Sequence, residues 1–168
     1  IMANQYLETT AANIWALGDI VGNYLFKHSA NMEAQTVIKN ALLGKKEAVN
    51  YSAMPHAIFT SPQIAGVGET EQQLKLRNAD YAVGKYNYAD TGMGVAIGEK
   101  EGFVKVYADK KTKRILGCHI IGPDASTLIH EVIVAMKLGA TVDKFLEVVH
   151  VHPALSEVVQ RAFGRIEF

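Results

Sequence analysis

A histidine and a glutamate near the C-terminal end of the sequence have the residue types and spacing of a proton-transfer pair. His152 precedes Pro153, and Glu157 follows the histidine by five residues. Histidine accepts and returns protons near neutral pH, and a carboxylate on its second ring nitrogen would fix the tautomer. The alternative is a helix that begins at Pro153, in which Glu157 is exposed in the first turn and interacts with the helix dipole.

A second histidine, His150, lies two residues before His152. On an extended segment the two side chains would share a face, so a metal-dependent hydrolase that uses His150, His152 and Glu157 is one alternative. Protein metal sites need further ligands at suitable spacing, and the sequence offers none nearby. We therefore predict no metal centre at these histidines.

Asp19 follows a short apolar run, residues 13–17, that predicts a buried parallel strand. In open α/β sheets ligands bind beyond the carboxyl ends of the strands, where a carboxylate can accept hydrogen bonds from ligand hydroxyls. A helical pattern follows over roughly residues 24–43, and its N-terminal N–H groups could face an electron-rich ligand. Asp19 is equally typical of a turn.

Two features that suggest cofactor or redox chemistry have simpler interpretations. The glycines of residues 92–98 form a G-x-G-x-x-x-G pattern, which is one residue longer than the dinucleotide-binding fingerprint and precedes a strand pattern. They predict a glycine-rich loop or bulge. Cys118, the only cysteine, lies in an apolar run and is predicted to be a small buried hydrophobe.

The composition is that of an ordinary globular protein, and it argues against two classes of partner, nucleic acids and membranes. Seventeen basic side chains balance seventeen acidic ones among 168 residues, which argues against nucleic-acid binding. No apolar run approaches the roughly 18 residues of a membrane span. The N-terminus lacks a signal-peptide pattern, and a single cysteine fits a reducing compartment. We therefore expect a cytoplasmic protein without nucleic-acid or membrane partners.

A mixed, polar, proline-ended stretch at residues 44–55 predicts a boundary between two domains, residues 1–46 and residues 47–168. The first domain contains one predicted strand and one predicted helix, which need a larger sheet to pack against. The second contains short β-rich runs, and the polar residues between the last two predict a hairpin. The predicted strands are 57–59, 64–68, 81–88, 102–108 and 114–121.

Helical patterns lie between and after these strands. Thr70 predicts the N-cap of a short helix that ends near Leu76. The helices predicted after the last strand are 125–138, 141–149 and 153–163. The sequence therefore predicts an α+β domain, an antiparallel sheet with helices on one side, preceded by a strand–helix piece of an α/β domain.

Taken in order along the chain, these motifs resemble those of the flavin-dependent pyridine nucleotide–disulfide oxidoreductases. The apolar run that ends at Gly18-Asp19 is similar to the second flavin motif of that family, and residues 28–34 are similar to its following helix. Residues 150–157 resemble its active-site motif. Further similarities, to the interface domain of the family, lie at residues 59–68, 102–105 and 115–122.

The resemblance implies a role for the first domain in holding FAD. Asp19 would accept hydrogen bonds from the ribityl hydroxyl of FAD. Backbone N–H groups around Phe26, Lys27 and His28 would face the pyrimidine end of the flavin and favour negative charge there on reduction. FAD and NAD(P) are thus the cofactors implied for the complete enzyme, whereas the 168-residue chain by itself is expected to bind neither.

The resemblance also implies that His152 is the general base that deprotonates a dithiol and later reprotonates a thiolate, while Glu157 orients it. His150 would lie on the substrate side, and its spacing from His152 is similar to that in dihydrolipoamide dehydrogenases. In this family the histidine serves the active site of the partner subunit, so a homodimer acting on a dithiol/disulfide substrate is implied. One departure is Ala154, where the family usually has threonine; it leaves the pair intact.

The resemblance finally implies that the chain is the C-terminal third of such an enzyme. The first flavin motif, the redox cysteine pair and the nicotinamide-binding domain would all lie before residue 1, so the isolated chain is expected to be inactive. The alternative is a stand-alone dimerisation or interaction module in which His152 and Glu157 are merely structural.

Overall fold

Five strands in the second part of the chain form one antiparallel sheet in the computed structural model, which describes residues 1–168. The strands are β1 (Pro55–Ile58), β2 (Gln63–Gly68), β3 (Tyr81–Asn87), β4 (Phe103–Asp109) and β5 (Ile115–Gly122). Their spatial order is β1-β2-β5-β4-β3. Each strand lies within a few residues of its predicted position, which confirms the predicted α+β class.

The β4–β5 hairpin closes over a polar turn whose side chains satisfy its backbone. The carboxylate of Asp109 accepts hydrogen bonds from the backbone N–H groups of Lys111 and Thr112, at 3.1 and 2.7 Å. This is the local pattern by which an aspartate stabilises a turn. The predicted hairpin is confirmed, because the polar run between the two β-rich segments folds back on itself.

The three helices that follow the last strand cover one face of the sheet and form the hydrophobic core with it. The helices of the chain are α1 (Lys27–Val37), α2 (Glu71–Leu76), α3 (Gly92–Ala96), α4 (Ala125–Lys137), α5 (Val142–Leu146) and α6 (Glu157–Phe163). α4 packs on β1, β2 and β5, whereas α6 packs on β3 and β4. The core between these layers includes Val104, Val106, Cys118, Ile120, Ile129 and Phe163. None of the helices combines the length and apolar character needed to cross a membrane.

Helix α2 begins at a capping box, as the sequence predicts. The Thr70 side chain accepts a hydrogen bond from the backbone N–H of Gln73, and the Gln73 side chain accepts one from the backbone N–H of Thr70. Two of the unpaired N–H groups at this helix end are thereby satisfied. Glu71 of α2 also pairs with Lys105, whose side chain lies on the sheet face opposite the core.

The predicted loop or bulge at residues 92–98 is wrong, because this glycine-rich segment begins with the short helix α3. The Thr91 side chain accepts a hydrogen bond from the backbone N–H of Gly94 at 3.0 Å and so caps the helix. A Cβ on Gly94 would lie 1.8 Å from the carbonyl oxygen of Tyr88. The glycine therefore permits a close backbone approach, and no sequence period indicates this packing.

The last two helices are shorter than predicted. α5 ends at Leu146, and the Val148 carbonyl accepts a hydrogen bond from the His150 ring instead of continuing the helix. α6 begins at Glu157, four residues after the predicted start at Pro153, because the intervening residues form turns. The Glu157 carboxylate holds these turns together through the contacts described below.

The predicted strand at residues 13–17 is wrong, whereas the helix that follows it is present as α1. Trp15 forms only an isolated bridge with Glu8, and Asn13 has a left-handed φ of +60°. Ile14 is 56% exposed, which a buried parallel strand does not allow. A parallel strand needs neighbours to satisfy its backbone groups, and here these groups pair within a local loop.

The chain forms two compact units, Ile1–Tyr51 and Ser52–Phe168, so the division lies five residues after the predicted boundary. Residues 47–51 belong to the first unit because they form hydrogen bonds with its earlier residues. The Asn40 side chain donates to the Glu47 carbonyl and accepts from the Glu47 backbone N–H, at 2.9 and 2.8 Å. The Tyr51 hydroxyl donates to the Glu33 carboxylate at 2.6 Å.

Candidate active site

His152 and Glu157 form the predicted hydrogen-bonded pair. Nδ1 of His152 lies 3.0 and 3.1 Å from the two carboxylate oxygens of Glu157. The backbone N–H of Ala154 donates to the same carboxylate at 3.1 Å. The glutamate side chain is 9% exposed and the histidine side chain 73%. The carboxylate is therefore held in place while the imidazole remains accessible.

This geometry assigns the tautomer of His152 in the neutral ring. A carboxylate only accepts hydrogen bonds, so Nδ1 carries the proton, and Nε2 presents its lone pair. The bond to Glu157 also stabilises the imidazolium that forms when Nε2 accepts a proton. A fixed, exposed base on a protein surface can serve a group brought to it from another segment or another subunit.

The carboxyl group of Glu157 is stabilised in its ionised form. The hydrogen bond from His152, and next the bond from the Ala154 N–H, hold the pKa of Glu157 below its usual value. A lowered pKa in the folded state means that ionised Glu157 favours folding. This stabilisation is present above the unfolded-state pKa, near 4.5, and is lost as the pH falls through the lower folded-state pKa.

We expect the variant Glu157→Gln to lose stability in a pH-dependent manner. The difference in unfolding free energy between the wild type and this variant should be larger at about pH 6 than at about pH 3, because only the ionised carboxylate contributes. Urea unfolding at a series of pH values measures it. The control is Glu101→Gln, which changes an exposed glutamate. A pH-independent difference for Glu157→Gln would contradict the assignment.

His150 has a different environment from His152. Its side chain is 6% exposed, its Nε2 lies 3.0 Å from a carboxylate oxygen of Glu131, and its Nδ1 lies 3.1 Å from the Val148 carbonyl oxygen. The carbonyl only accepts, so Nδ1 carries a proton. His150 and His152 thus bind separate carboxylates, and the two histidines and Glu157 do not converge as the hydrolase alternative requires.

Glu131 is a site residue that sequence reasoning missed. It lies in the middle of α4, and burial raises its pKa above the usual value, although the contact with His150 opposes this. Its Oε1 is buried without a hydrogen-bond partner. The signal in the sequence was the only carboxylate in residues 128–136, a stretch that is apolar apart from this glutamate and His130.

An apolar groove adjoins Glu131 on the surface of α4. Its apolar lining includes Val134, Ala135, Leu138 and Val148. Leu138 is 81% exposed and Val134 57%, although both are large hydrophobic side chains. Exposed apolar side chains that line one groove are typical of a surface that another molecule covers.

In the first unit, Asp19 is exposed on a 3-10 turn, Gly18–Val21, at the position where the sequence predicts a ligand carboxylate. The preceding Gly18 has a left-handed φ of +75°, and its N–H donates to the Glu33 carboxylate at 2.6 Å. Glu33 is fully buried in α1. Sequence reasoning did not identify this role of Glu33, which fixes the Gly18–Asp19 turn against the helix.

Helix α1 begins at Lys27, so Phe26, Lys27 and His28 lie at its N-terminus as predicted. Phe26 supplies no side-chain cap, and the rings of Phe26 and His28 stack with centroids 5.2 Å apart. The first turn contains no acidic residue. Its backbone N–H groups form a positive helix end that favours an electron-rich group.

Cys118 is a core residue, as predicted. It is fully buried in β5, and burial raises the pKa of its thiol well above the usual value. A buried thiol with a raised pKa forms little thiolate, which is the reactive species. Thiol–disulfide chemistry at His152 would therefore need cysteines other than this one.

Comparison with known proteins identifies relatives of both units. Residues 54–163 match the family model for "Pyridine nucleotide-disulphide oxidoreductase, dimerisation domain". The "Dihydrolipoyl dehydrogenase" of Cupriavidus necator is 38% identical over 162 residues, which cover 96% of this chain and 34% of that protein. "Dihydrolipoyl dehydrogenase 2, mitochondrial" of Arabidopsis thaliana is 35% identical over 162 residues, covering 96% of this chain and 32% of that protein.

The solved structures agree with the sequence comparison. The HOCl-induced flavoprotein disulfide reductase RclA from Escherichia coli superposes with a TM-score of 0.88 at 27% identity, covering 97% of this chain and 38% of RclA. The chain therefore spans about a third of the length of the relatives that it matches.

Proposed function

The chain belongs to the pyridine nucleotide–disulphide oxidoreductase family, and from this premise we propose that it is the C-terminal part of a dihydrolipoamide dehydrogenase-like flavoenzyme. In this proposal the second unit makes the homodimer and supplies His152 and Glu157 to the active site of the partner subunit. The substrate is a dithiol/disulfide pair, and the electrons pass to or from NAD(P). The hydrogen-bonded His152–Glu157 pair is the observation that carries the proposal.

The acid/base chemistry follows from the geometry of this pair. Nε2 of His152 takes the proton from a substrate thiol and leaves a thiolate, the form that attacks a disulfide. Imidazole and thiol pKa values differ by only about two units, so the transfer is readily reversible. Glu157 stabilises the imidazolium, which returns its proton to the thiolate leaving group in a later step.

Two features of the first unit support a role in holding the ribityl chain and the pyrimidine end of FAD in the complete enzyme. Glu33 holds the Gly18–Asp19 turn against α1, which leaves the Asp19 carboxylate exposed to accept hydrogen bonds from hydroxyl groups. The uncapped start of α1 at Lys27 favours negative charge. Bound FAD would supply the electron relay between the dithiol and the nicotinamide.

The homodimer completes the site in this proposal. His152 is exposed, and the only cysteine of the chain is buried in the core, so the reacting sulfur atoms must come from other residues. We assign the apolar groove on α4 to the two-fold interface, because it lies beside Glu131 and His150 and exposes large apolar side chains. A two-fold contact would give each active site one histidine from the opposite subunit.

The proposal is tested with the 168-residue chain and with a chimera. In the chimera, this chain replaces the matching third of the Cupriavidus necator dihydrolipoyl dehydrogenase. We expect the isolated chain to bind no FAD and to be inactive, and the chimera to bind FAD and oxidise dihydrolipoamide with NAD⁺. A chimera that dimerises with FAD but shows no turnover would contradict the proposal and favour the dimerisation-module alternative.

A cytoplasmic location remains a prediction. Some relatives are mitochondrial by name, such as the Arabidopsis protein, whereas the name of the Cupriavidus relative gives no compartment. Localisation of the tagged chain in its own cell would test it.

A further inference from the structure

Glu33 is a fully buried carboxylate that receives a hydrogen bond on each of its two oxygens. The backbone N–H of Gly18 donates to one oxygen at 2.6 Å, and the Tyr51 hydroxyl donates to the other at 2.6 Å. A carboxylate is costly to bury unless such bonds compensate for its lost hydration. The two donors therefore hold this side chain in one orientation from two separate segments of the first unit.

Tyr51 keeps its proton near neutral pH and so stays the donor in this bond. Burial, and next the hydrogen bond to Glu33, raises the pKa of Tyr51 to about 12. The hydroxyl also accepts a hydrogen bond from the side-chain amide of Asn23 at 3.2 Å. Tyr51 is consequently linked both to α1, which carries Glu33, and to the segment between the Gly18–Val21 turn and α1.

The ring of Tyr51 contacts a residue that leads into α1. Its centroid lies 5.0 Å from that of the Tyr24 ring, and the ring planes are inclined by 33°. Ser29, which is fully buried in the first turn of α1, donates from its hydroxyl toward the backbone carbonyl oxygens of Tyr24 and Phe26, at 2.9 and 2.7 Å. The start of α1 is thereby joined to the same cluster of side chains as the Gly18–Asp19 turn.

The direction of the Asp19 side chain depends on the bond between Gly18 and Glu33. Gly18 has a left-handed φ of +75°, and a Cβ built on it would lie 3.4 Å from the Cβ of Ala30, so the turn rests directly on α1. If Glu33 lost the donor of Tyr51, one of its oxygens would be left buried and unpaired, and relief of that cost would require the carboxylate to move. The N–H of Gly18, and Asp19 after it, would move with the carboxylate.

We propose that Tyr51 is a positioning residue of the flavin site, which acts through Glu33 on the Gly18–Asp19 turn and through Tyr24 on the start of α1. The inference rests on the proposed function and deepens it, because it names a residue that orients the two features assigned to FAD. Phenylalanine at position 51 would remove the hydroxyl donor and retain the ring that contacts Tyr24. The hydrogen bond can therefore be tested separately from the packing of the ring.

The first test compares the 168-residue chain with its Tyr51→Phe variant by NMR, without FAD. In the wild type we expect the Gly18 amide proton to be shifted downfield and protected from hydrogen exchange, because it bonds a carboxylate at 2.6 Å. In the variant its exchange should be faster by roughly 5- to 100-fold, since an unpaired buried oxygen weakens the cluster. The control is Tyr6→Phe, which removes a hydroxyl of the same unit outside the cluster. A Gly18 signal that Tyr51→Phe leaves unchanged would overturn the proposal.

The second test measures the affinity of the chimera for FAD by titrating the apoprotein and following the flavin fluorescence. Tyr51→Phe should weaken this affinity by at least about fivefold, the factor that corresponds to one buried acceptor left unpaired. Glu33→Gln should weaken it as well. The double variant should bind FAD about as weakly as Glu33→Gln alone, because both changes break the same bond. Additive losses would mean that Tyr51 does not act through Glu33 and would overturn the proposal.

A destabilised control separates positioning from stability. The Asn40 side chain bonds the Tyr6 carbonyl oxygen and the backbone of Glu47, so Asn40→Ala weakens the same unit without touching the cluster. At a temperature where every chimera is folded by circular dichroism, Asn40→Ala should retain the wild-type FAD affinity and visible absorption spectrum, whereas Tyr51→Phe should alter both. Equal losses in the two variants would reduce Tyr51 to a structural residue and overturn the proposal.

The wild-type chimera distinguishes failure of this inference from failure of the proposed function. A wild-type chimera that binds no FAD would contradict the proposed function, and the inference with it. A wild-type chimera that binds FAD, with Tyr51→Phe binding it equally tightly, would overturn only the role assigned to Tyr51.

Discussion

Replacing His152 with glutamine in the chimeric enzyme is expected to lower kcat for dihydrolipoamide oxidation by roughly 10²- to 10⁴-fold, the usual contribution of a positioned acid/base group. Glutamine retains a polar side chain that can hydrogen-bond the carboxylate of Glu157, so the local fold should persist. It has no group that titrates near neutral pH, so the thiol loses its proton acceptor. Steady-state kinetics across a range of pH values measures the effect, including the loss of the ionisation assigned to the base.

Two controls separate a chemical effect of this substitution from a structural one. Electron transfer from NADH to an artificial acceptor that takes electrons directly from the flavin bypasses the dithiol, so His152→Gln should leave that rate unchanged. Lys111→Gln changes an exposed ionisable residue in the β4–β5 turn, away from the pair and from the α4 groove, and should retain dihydrolipoamide oxidation. Equal loss of both reactions in His152→Gln, or retention of dihydrolipoamide oxidation, would refute the role assigned to His152.

Replacing Leu138 with aspartate is expected to weaken the homodimer by at least about 30-fold. The side chain is 81% exposed beside the apolar groove on α4, where a second copy would bury it. A central interface side chain contributes about 2 kcal/mol or more, and the introduced carboxylate would lose its hydration in the contact. Sedimentation velocity of the 168-residue chain over a range of concentrations measures the dissociation constant.

The matched control for the interface is Leu76→Asp. Leu76 on α2 is 79% exposed, so the chemical change and the initial exposure are nearly equal, but it does not line the groove. This variant should dimerise as the wild type does. Equal weakening by both substitutions, or a wild-type chain that stays monomeric at micromolar concentration, would exclude the α4 groove as the two-fold contact.

The elements that sequence reasoning located correctly are those with a local physical cause. The β4–β5 hairpin follows from a polar turn in which Asp109 satisfies neighbouring N–H groups, and α2 follows from the Thr70–Gln73 capping box. The His152–Glu157 pair is likewise local, because both residues lie within one short segment. In each case the residues that contact each other are close in sequence. Their spacing along the chain is therefore enough to predict the contact.

The errors arose where a distant or missing partner decides the conformation. Residues 13–17 have the composition of a buried strand, but a strand forms only beside another strand, and the loop around Trp15 pairs with itself instead. The glycines of residues 92–98 form a helix because Gly94 packs against the backbone of Tyr88. Neither partner could be identified from the periodicity of the segment itself.

By itself the sequence determined the fold class, the five strand segments and the hydrogen-bonded contact of His152 with Glu157, since each depends on the order of side chains along a few residues. The tertiary structure alone decided the strand order β1-β2-β5-β4-β3, the burial of Glu131 against His150, and the link from Gly18 through Glu33 to Tyr51. These contacts join residues that are far apart in the chain. Their free energy depends on which surfaces the folded sheet brings together, and no short stretch of sequence carries that information.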